Sequence, residues 1–328
     1  MELREDTRYA YAVARIRALE THFLNLEKIQ RIIDAPDALT AWRETAMWHL
    51  FPKGELSSED TEKDLENLLI EEIRYTNNLF SSLSKDPELT NLFLLKYDFH
   101  NLKVLLKAYP ESYPKGINSD NNGMIDSGLV PVEKLKNAIS ERNFRELSKS
   151  LQDIISEILE VVRTDTYFLY GPSMVDIFLD KKMFDLIFMT IKEYPAPSSF
   201  FLNTLFQLEV DINNLNICRR FKKLTRKRDF LNEAFLQGGK LDIKFLLERY
   251  ENSEDVVLNE FINLQISNLQ SQLNNLCEST MYTAFGLEPL IVFLKKREKE
   301  TKIIRTIILA KLQGLVTEDI KKEIGTIK

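Results

Sequence analysis

The sequence predicts an all-α protein, and three observations carry that prediction. Glycine and proline number ten each in 328 residues, about half of ordinary usage, so helix breakers are scarce. Charged residues reach 29% and hydrophobic ones 44%, and a chain rich in Leu, Ile, Lys and Glu favours helix over sheet. Apolar residues recur at helical rather than alternating spacing along most of the length.

Taken in order, the elements read as follows. The opening MELREDTR is charged from its second residue, which is unlike a signal peptide. Asp86 and Pro87 suit the N-cap and first position of a helix. Leu89, Leu92, Phe93, Phe99, Leu102 and Leu106 would form its apolar face. A loop follows from Tyr109 to Gly128, rich in Pro, Gly, Asn, Asp and Ser, the residues that turns demand. FDLIFMTI, Phe184 to Ile191, is the most apolar run and is far too short to span a membrane. YPAPSS, Tyr194 to Ser199, marks a second break. Asp242 reads as the N-cap of DIKFLLERY, Ser253 opens a helix striped by Leu258, Ile262, Leu269 and Leu276, and Thr317 starts TEDIKKEI.

A short pattern recurs along these helices. DPELTNLFLLKYDFHNLK (Asp86 to Lys103) and EPLIVFLKKREKETKIIR (Glu288 to Arg305) each open with an acid and a proline. Each carries a second acid eleven residues after the proline, Asp98 and Glu300, followed by Asn101-Leu102-Lys103 and Ile303-Ile304-Arg305. DINNLN, Asp211 to Asn216, echoes it in the middle of the chain. A glycine lies downstream of each copy, at Gly128, Gly239 and Gly314. The acids stand 113 and 89 residues apart, too far for a solenoid repeat of about 20 to 50 residues. Three helical units of about a hundred residues fit better, with expected boundaries 1–125, 126–240 and 241–328.

The net charge of −6 gives no reason to expect nucleic acid. Phosphate loops, dinucleotide fingerprints, zincin motifs and calcium loops are missing from the sequence, so no cofactor, no metal site and no small-molecule substrate is expected. His22, His49 and His100 are scattered without paired spacing, and His100 reads as structural. Cys218 and Cys277 lie 59 positions apart, which suggests buried reduced thiols and a cytosolic compartment. Asp98, Asp211 and Glu300 sit mid-helix among apolar neighbours. A buried carboxylate must be paired or hydrogen-bonded, and each is expected to accept from a nearby Arg or Lys and so fix helix packing. The run from Arg219 to Arg228 holds Arg219, Arg220, Lys222, Lys223, Arg226, Lys227 and Arg228. It reads either as a solvated face or as a contact for an acidic partner or anionic lipid.

Phe285 to Ile324, with its Glu-Pro-Leu opening, acid-rich middle, I-R-x-I at Ile304 to Ile307 and late Lys-x-x-Gly, resembles the C subunits of V/A-type rotary ATPases, the counterparts of the eukaryotic V-ATPase d subunit. Tyr9 to Glu20 and Leu94 to Ala108 are similar to the same family. Two departures are the missing Asn at Thr301 to Ile303 and Asn216 in place of a base. The resemblance implies three similar helical domains in pseudo-threefold, funnel-like arrangement and no active site. It implies a peripheral position on the cytoplasmic side of a membrane complex. The partners would be the D and F subunits of the shaft and the membrane proteolipid (c/K) ring. A helical scaffold or a protein of anionic membrane surfaces is the alternative.

Overall fold

A computed structural model describes residues 6–47, 62–112, 123–162, 171–224 and 228–325. Every regular element among them is helical, and the chain is all-α. The helices are α1 (Ala10–Glu20), α2 (Leu26–Asp34), α3 (Ala38–Met47), α4 (Glu62–Leu83), α5 (Leu95–Ser112), α6 (Val132–Glu141) and α7 (Lys149–Val161). There follow α8 (Ser173–Glu193), α9 (Ser199–Lys223), α10 (Arg228–Ala234), α11 (Ile243–Asn252), α12 (Asp255–Glu278), α13 (Glu288–Leu312) and α14 (Thr317–Gly325).

Local signals account for most boundaries. The Asp242 carboxylate accepts from the Lys244 N–H at 2.9 Å and caps α11, as its residue type favours. The break at Tyr194 to Ser199 separates α8 from α9. The helix expected from Asp86 onward is interrupted: a single turn (Pro87–Thr90) and a 3-10 turn (Asn91–Phe93) precede α5. Leu89, Leu92, Phe93, Leu94 and Leu95 are all buried. One straight helix cannot turn so many neighbouring positions inward, so the chain kinks to bury them. At the other end α5 runs on to Ser112, beyond the Tyr109 expected to begin the loop.

Two compact units divide the chain. One comprises residues 1–90 with 283–328, the other 91–282. In the first, α13 packs against α4, α1, α3 and α14. Its core gathers Ile29, Ile32, Trp42, Leu65, Leu69, Ile303, Ile307 and Ile320. In the second, α5 packs on α8 and α9 on α12, with α6 against α5 and α7 against α8. A core of Leu208, Leu215, Phe221, Phe230, Phe235, Leu246 and Ile262 holds α9 to α12 together. Each fully buried Leu, Ile or Phe of these stripes contributes about 1.5–3 kcal/mol relative to exposure. The long helices therefore fall into three pairs: α5 with α8, α9 with α12, and α13 with α4.

Candidate functional site

Asp98 and Asp211 perform the same task, although Asp98 lies in the first turn of α5, not mid-helix as expected, and Asp211 lies midway along α9. Asp98, fully buried on α5, accepts from the Leu129 and Val130 backbone N–H groups, both at 3.0 Å. Asp211, buried on α9, accepts from the Lys240 and Leu241 N–H groups, again both at 3.0 Å. One turn further along each helix, an asparagine binds the same segment. The Asn101 amide donates to the Ile125 carbonyl and accepts from the Ile125 N–H, both at 2.8 Å. Asn214 donates to the Leu236 carbonyl at 3.0 Å and accepts from its N–H at 2.8 Å. Residues three apart share a helix face, so each D-x-x-N holds four backbone groups of one segment as a single clamp.

The clamped segments lead directly into the short helices α6 and α11, whose caps are Pro131 and Asp242. In each, the glycine three residues before the cap lies against the acid. A Cβ at Gly128 would sit 2.0 Å from the Asp98 carboxylate oxygen, and one at Gly239 would sit 2.1 Å from that of Asp211. These glycines are present because the backbone must touch a carboxylate. Gly314 has another role. It lies at the end of α13 with φ of 73°, and the Leu315 N–H closes back on the Ala310 carbonyl at 2.9 Å, a helix stop. The arginine or lysine partner expected for these acids is not what holds Asp98 and Asp211. Backbone N–H groups fill that role, because a segment without regular pairing must place its donors somewhere.

Glu300 binds the third copy differently. Its carboxylate accepts from the Leu24 N–H, just before the Asn25 cap of α2, and from Arg297 at 3.1 Å. Arg297 also pairs with buried Glu72 of α4, which accepts from the Thr76 hydroxyl at 3.1 Å. Counting back from the cap explains the missing asparagine. The residue six before the cap is Ile125 in the first copy, Leu236 in the second and Leu19 in the third. Leu19 lies inside α1, where helical bonding already engages the backbone groups an asparagine would bind. Ile303 therefore occupies the asparagine position and joins the apolar core. The Phe23 N–H is likewise engaged by the Glu20 carbonyl at 3.1 Å, leaving one N–H rather than two for the acid.

A role not foreseen from the sequence completes the clamp, and it withdraws Lys222 from the expected partner contact. Eleven positions after the acid stands a lysine in two copies, Lys222 and Lys311. Lys222 donates to the Tyr250 and Ser253 carbonyls at 2.9 and 3.1 Å, at the C-terminal end of α11. Lys311 donates to the Ala35 carbonyl that ends α2. Eleven residues of helix rise about 16 Å, the length of the short helix lying alongside. The acid thus meets the positive end of the short helix and the lysine its negative end. The spacing D-x10-K and E-x10-K was the available signal. The first copy has Tyr109 there, a residue whose side chain lies outside the described ones.

The basic run is accordingly divided. Lys222 is half-buried in the clamp, and Arg219 donates to Asn216 at 2.6 Å and Asn263 at 3.3 Å. Arg220 and Lys223 are exposed. Arg226 and Lys227 lie outside the described residues, as does the side chain of Arg228. His100 binds the Gly123 carbonyl at 2.7 Å, a structural role. His49 lies outside the described residues. Cys218 is buried, and burial pushes its thiol up to about 11.

Burial drives the Asp98 carboxyl up to about 6, against the Val130 and Leu129 N–H bonds that pull it down. Burial also raises Glu300, opposed by Leu24 and Arg297, and raises Glu72, opposed by Arg297. The folded state therefore holds the Asp98 proton more tightly than the unfolded chain, where the group titrates near 3.8. Its contribution to stability is full below that value and is lost as pH rises through about 6. A shift of two units corresponds to about 3 kcal/mol. Wild-type stability minus that of Asp98→Asn is expected to fall by up to about that amount between pH 4 and pH 7. Urea unfolding at several pH values measures it, and a flat difference refutes the assignment.

Among the described residues no cluster of His, Cys, Asp and Glu suits a metal ion, and no helix is long and apolar enough to cross a membrane. The sequence matches the family described as ATP synthase (C/AC39) subunit over residues 12–323. The C subunit of the V-type sodium ATPase of Enterococcus hirae is 26% identical over 282 residues, covering 80% of this chain and 82% of that protein. The C subunit of the A-type ATP synthase of Methanococcoides burtonii is 20% identical over 346 residues, covering 97% and 94%. Its counterpart in the A-type ATP synthase of Methanothermobacter thermautotrophicus is 23% identical over 346 residues, covering 96% and 87%. With a family match spanning nearly its whole length, the chain belongs to the C/AC39 subunits of V/A-type ATPases.

Proposed function

We propose that this chain is a non-catalytic rotor adaptor. It links a shaft of D and F subunits to the membrane proteolipid ring, on the cytoplasmic side, and transmits torque for ATP-coupled proton or sodium transport. The observation that carries this reading is the inward use of the repeated polar residues. Asp98, Asn101, Asp211, Asn214, Lys222, Glu300 and Lys311 all bind the chain's own backbone. Side chains so engaged stiffen a scaffold, and stiffness is what a part under torque requires.

The same clamps support a division into three modules: α5–α8, α9–α12, and α13–α14 together with α1–α4. These boundaries follow the helix pairs instead of consecutive thirds of the chain. Under this reading the exposed Arg220 and Lys223, together with Arg226, Lys227 and Arg228, are candidates for a charged rim, which would favour register over raw affinity.

The test is a pull-down with the purified chain, against a D–F complex and against detergent-solubilised proteolipid ring. Capture of both, with no ATP hydrolysis by the chain alone, is the expected result. Failure to retain either, with retention on anionic vesicles, overturns the adaptor reading in favour of a lipid-surface protein.

A further inference from the structure

The three clamps are unequal, and the inequality has a direction. In the second copy, α11 is entered through four backbone bonds, two to Asp211 and two to Asn214, and is held at its far end by Lys222. In the first, α6 is entered through the equivalent four bonds to Asp98 and Asn101. In the third, the segment entering α2 gives the backbone N–H of Leu24 to α13. The two N–H groups before it bond within their own segment, His22 to the Leu19 carbonyl and Phe23 to that of Glu20, at 3.1 Å each. The Lys28 ammonium binds the His22 and Phe23 carbonyls at 3.2 and 2.9 Å, which stiffens the segment, and its charge favours the ionised Glu300. At its other end α2 is held through Lys311 and the Ala35 carbonyl.

The two ends of this nine-residue helix are thus fastened to α13 through one carboxylate and one ammonium. We propose that α2 with its entering segment is a latch: it releases from α13 as a body while the clamps at Asp98 and Asp211 stay closed. Helix, loop and Lys28 bridge travel together because their mutual bonds are internal to the body. Its apolar residues Ile29, Ile32 and Ile33 share a core with Trp42, Ile303, Ile307 and Ile320, and α2 also packs on α3 and α14, so release breaks those contacts too and the opening is a subglobular transition and not mere fraying. The consequence is a compliant place in an otherwise stiff protein, located in the unit that joins the first helices to the last.

Native-state hydrogen exchange on the full chain, in rising sub-denaturing urea, tests this. The Leu24 amide is expected to exchange at least about tenfold faster than those of Leu129, Val130, Lys240 and Leu241, through an opening that urea promotes, though less steeply than global unfolding. Equal or slower exchange at Leu24 overturns the proposal. A second arm uses Lys311→Met, which keeps the long apolar stem and removes the ammonium. Exchange at Leu24 is expected to accelerate about tenfold more, although Leu24 lies at the opposite end of α2, with Lys240 and Leu241 unchanged. If Leu24 does not respond, the two ends are not one latch, and the inference fails.

Discussion

Alanine at position 239 is expected to destabilise the protein by about 3–4 kcal/mol, although the change adds a single methyl group. The Cβ would lie 2.1 Å from the Asp211 oxygen and 3.0 Å from a Val210 methyl. No rotamer relieves this, because the carboxylate is fixed by the Lys240 and Leu241 N–H groups. Either the segment withdraws and both bonds break, or the acid turns away and leaves two buried donors unsatisfied, each costing about 1–3 kcal/mol. The mechanism predicts strong non-additivity. Asp211→Ala alone should cost a similar amount, but Gly239→Ala added to it should cost little more, since the clashing oxygen is gone. Urea denaturation of the two single variants and the double variant measures the cycle, and additive penalties would refute the contact. Gly314→Ala is the control. No atom lies within 4 Å of its Cβ position, and only its φ of 73° is at stake, for about 1 kcal/mol.

Charge reversal within the basic run should divide it sharply. Lys222→Glu would aim a carboxylate at the Tyr250 and Ser253 carbonyls and at Asp255, 3.7 Å from the present ammonium. Repulsion at a half-buried site and loss of a helix-end cation together should cost about 3–5 kcal/mol. Arg220→Glu and Lys223→Glu alter exposed side chains and should stay within about half a kcal/mol. Thermal melts of the three single variants measure the contrast. If Lys222→Glu melts like the other two, the lysine is not part of the clamp.

The fold class, most helices and the acids were readable because they rest on local chemistry. Periodicity, caps and scarce breakers are statements about neighbours in sequence. The clamp was only half readable. An acid and a later glycine at Asp98–Gly128 and Asp211–Gly239 can be seen as a recurring pair, but contact between them is made across 30 and 28 residues of chain. Nothing local shows that the glycine is needed for close approach to a carboxylate. Gly314 carried the same local signature for an unrelated reason, the end of α13. The partner of Glu300 was illegible for a stronger reason: it lies at Leu24, 276 residues earlier. Lys222 was hidden by its surroundings. Among six other cations in ten positions, one half-buried helix-end lysine looks like surface charge until its neighbour α11 is in view.

The sharing of one unit between the first helices and the last has a consequence for biosynthesis. α4 ends at Leu83 and its partner α13 begins at Glu288, so about 200 residues must be translated between them. At about 5–20 residues per second this takes about 10–40 s. In that interval the ribosome displays α4 with Leu65, Leu69, Leu79 and Phe80, all buried in the finished protein, and no α13 to cover them. The segment 91–282 contains both of its own helix pairs and can fold while the nascent chain is still growing. The first helices made are thus completed last, and they are the ones for which a chaperone has the longest use.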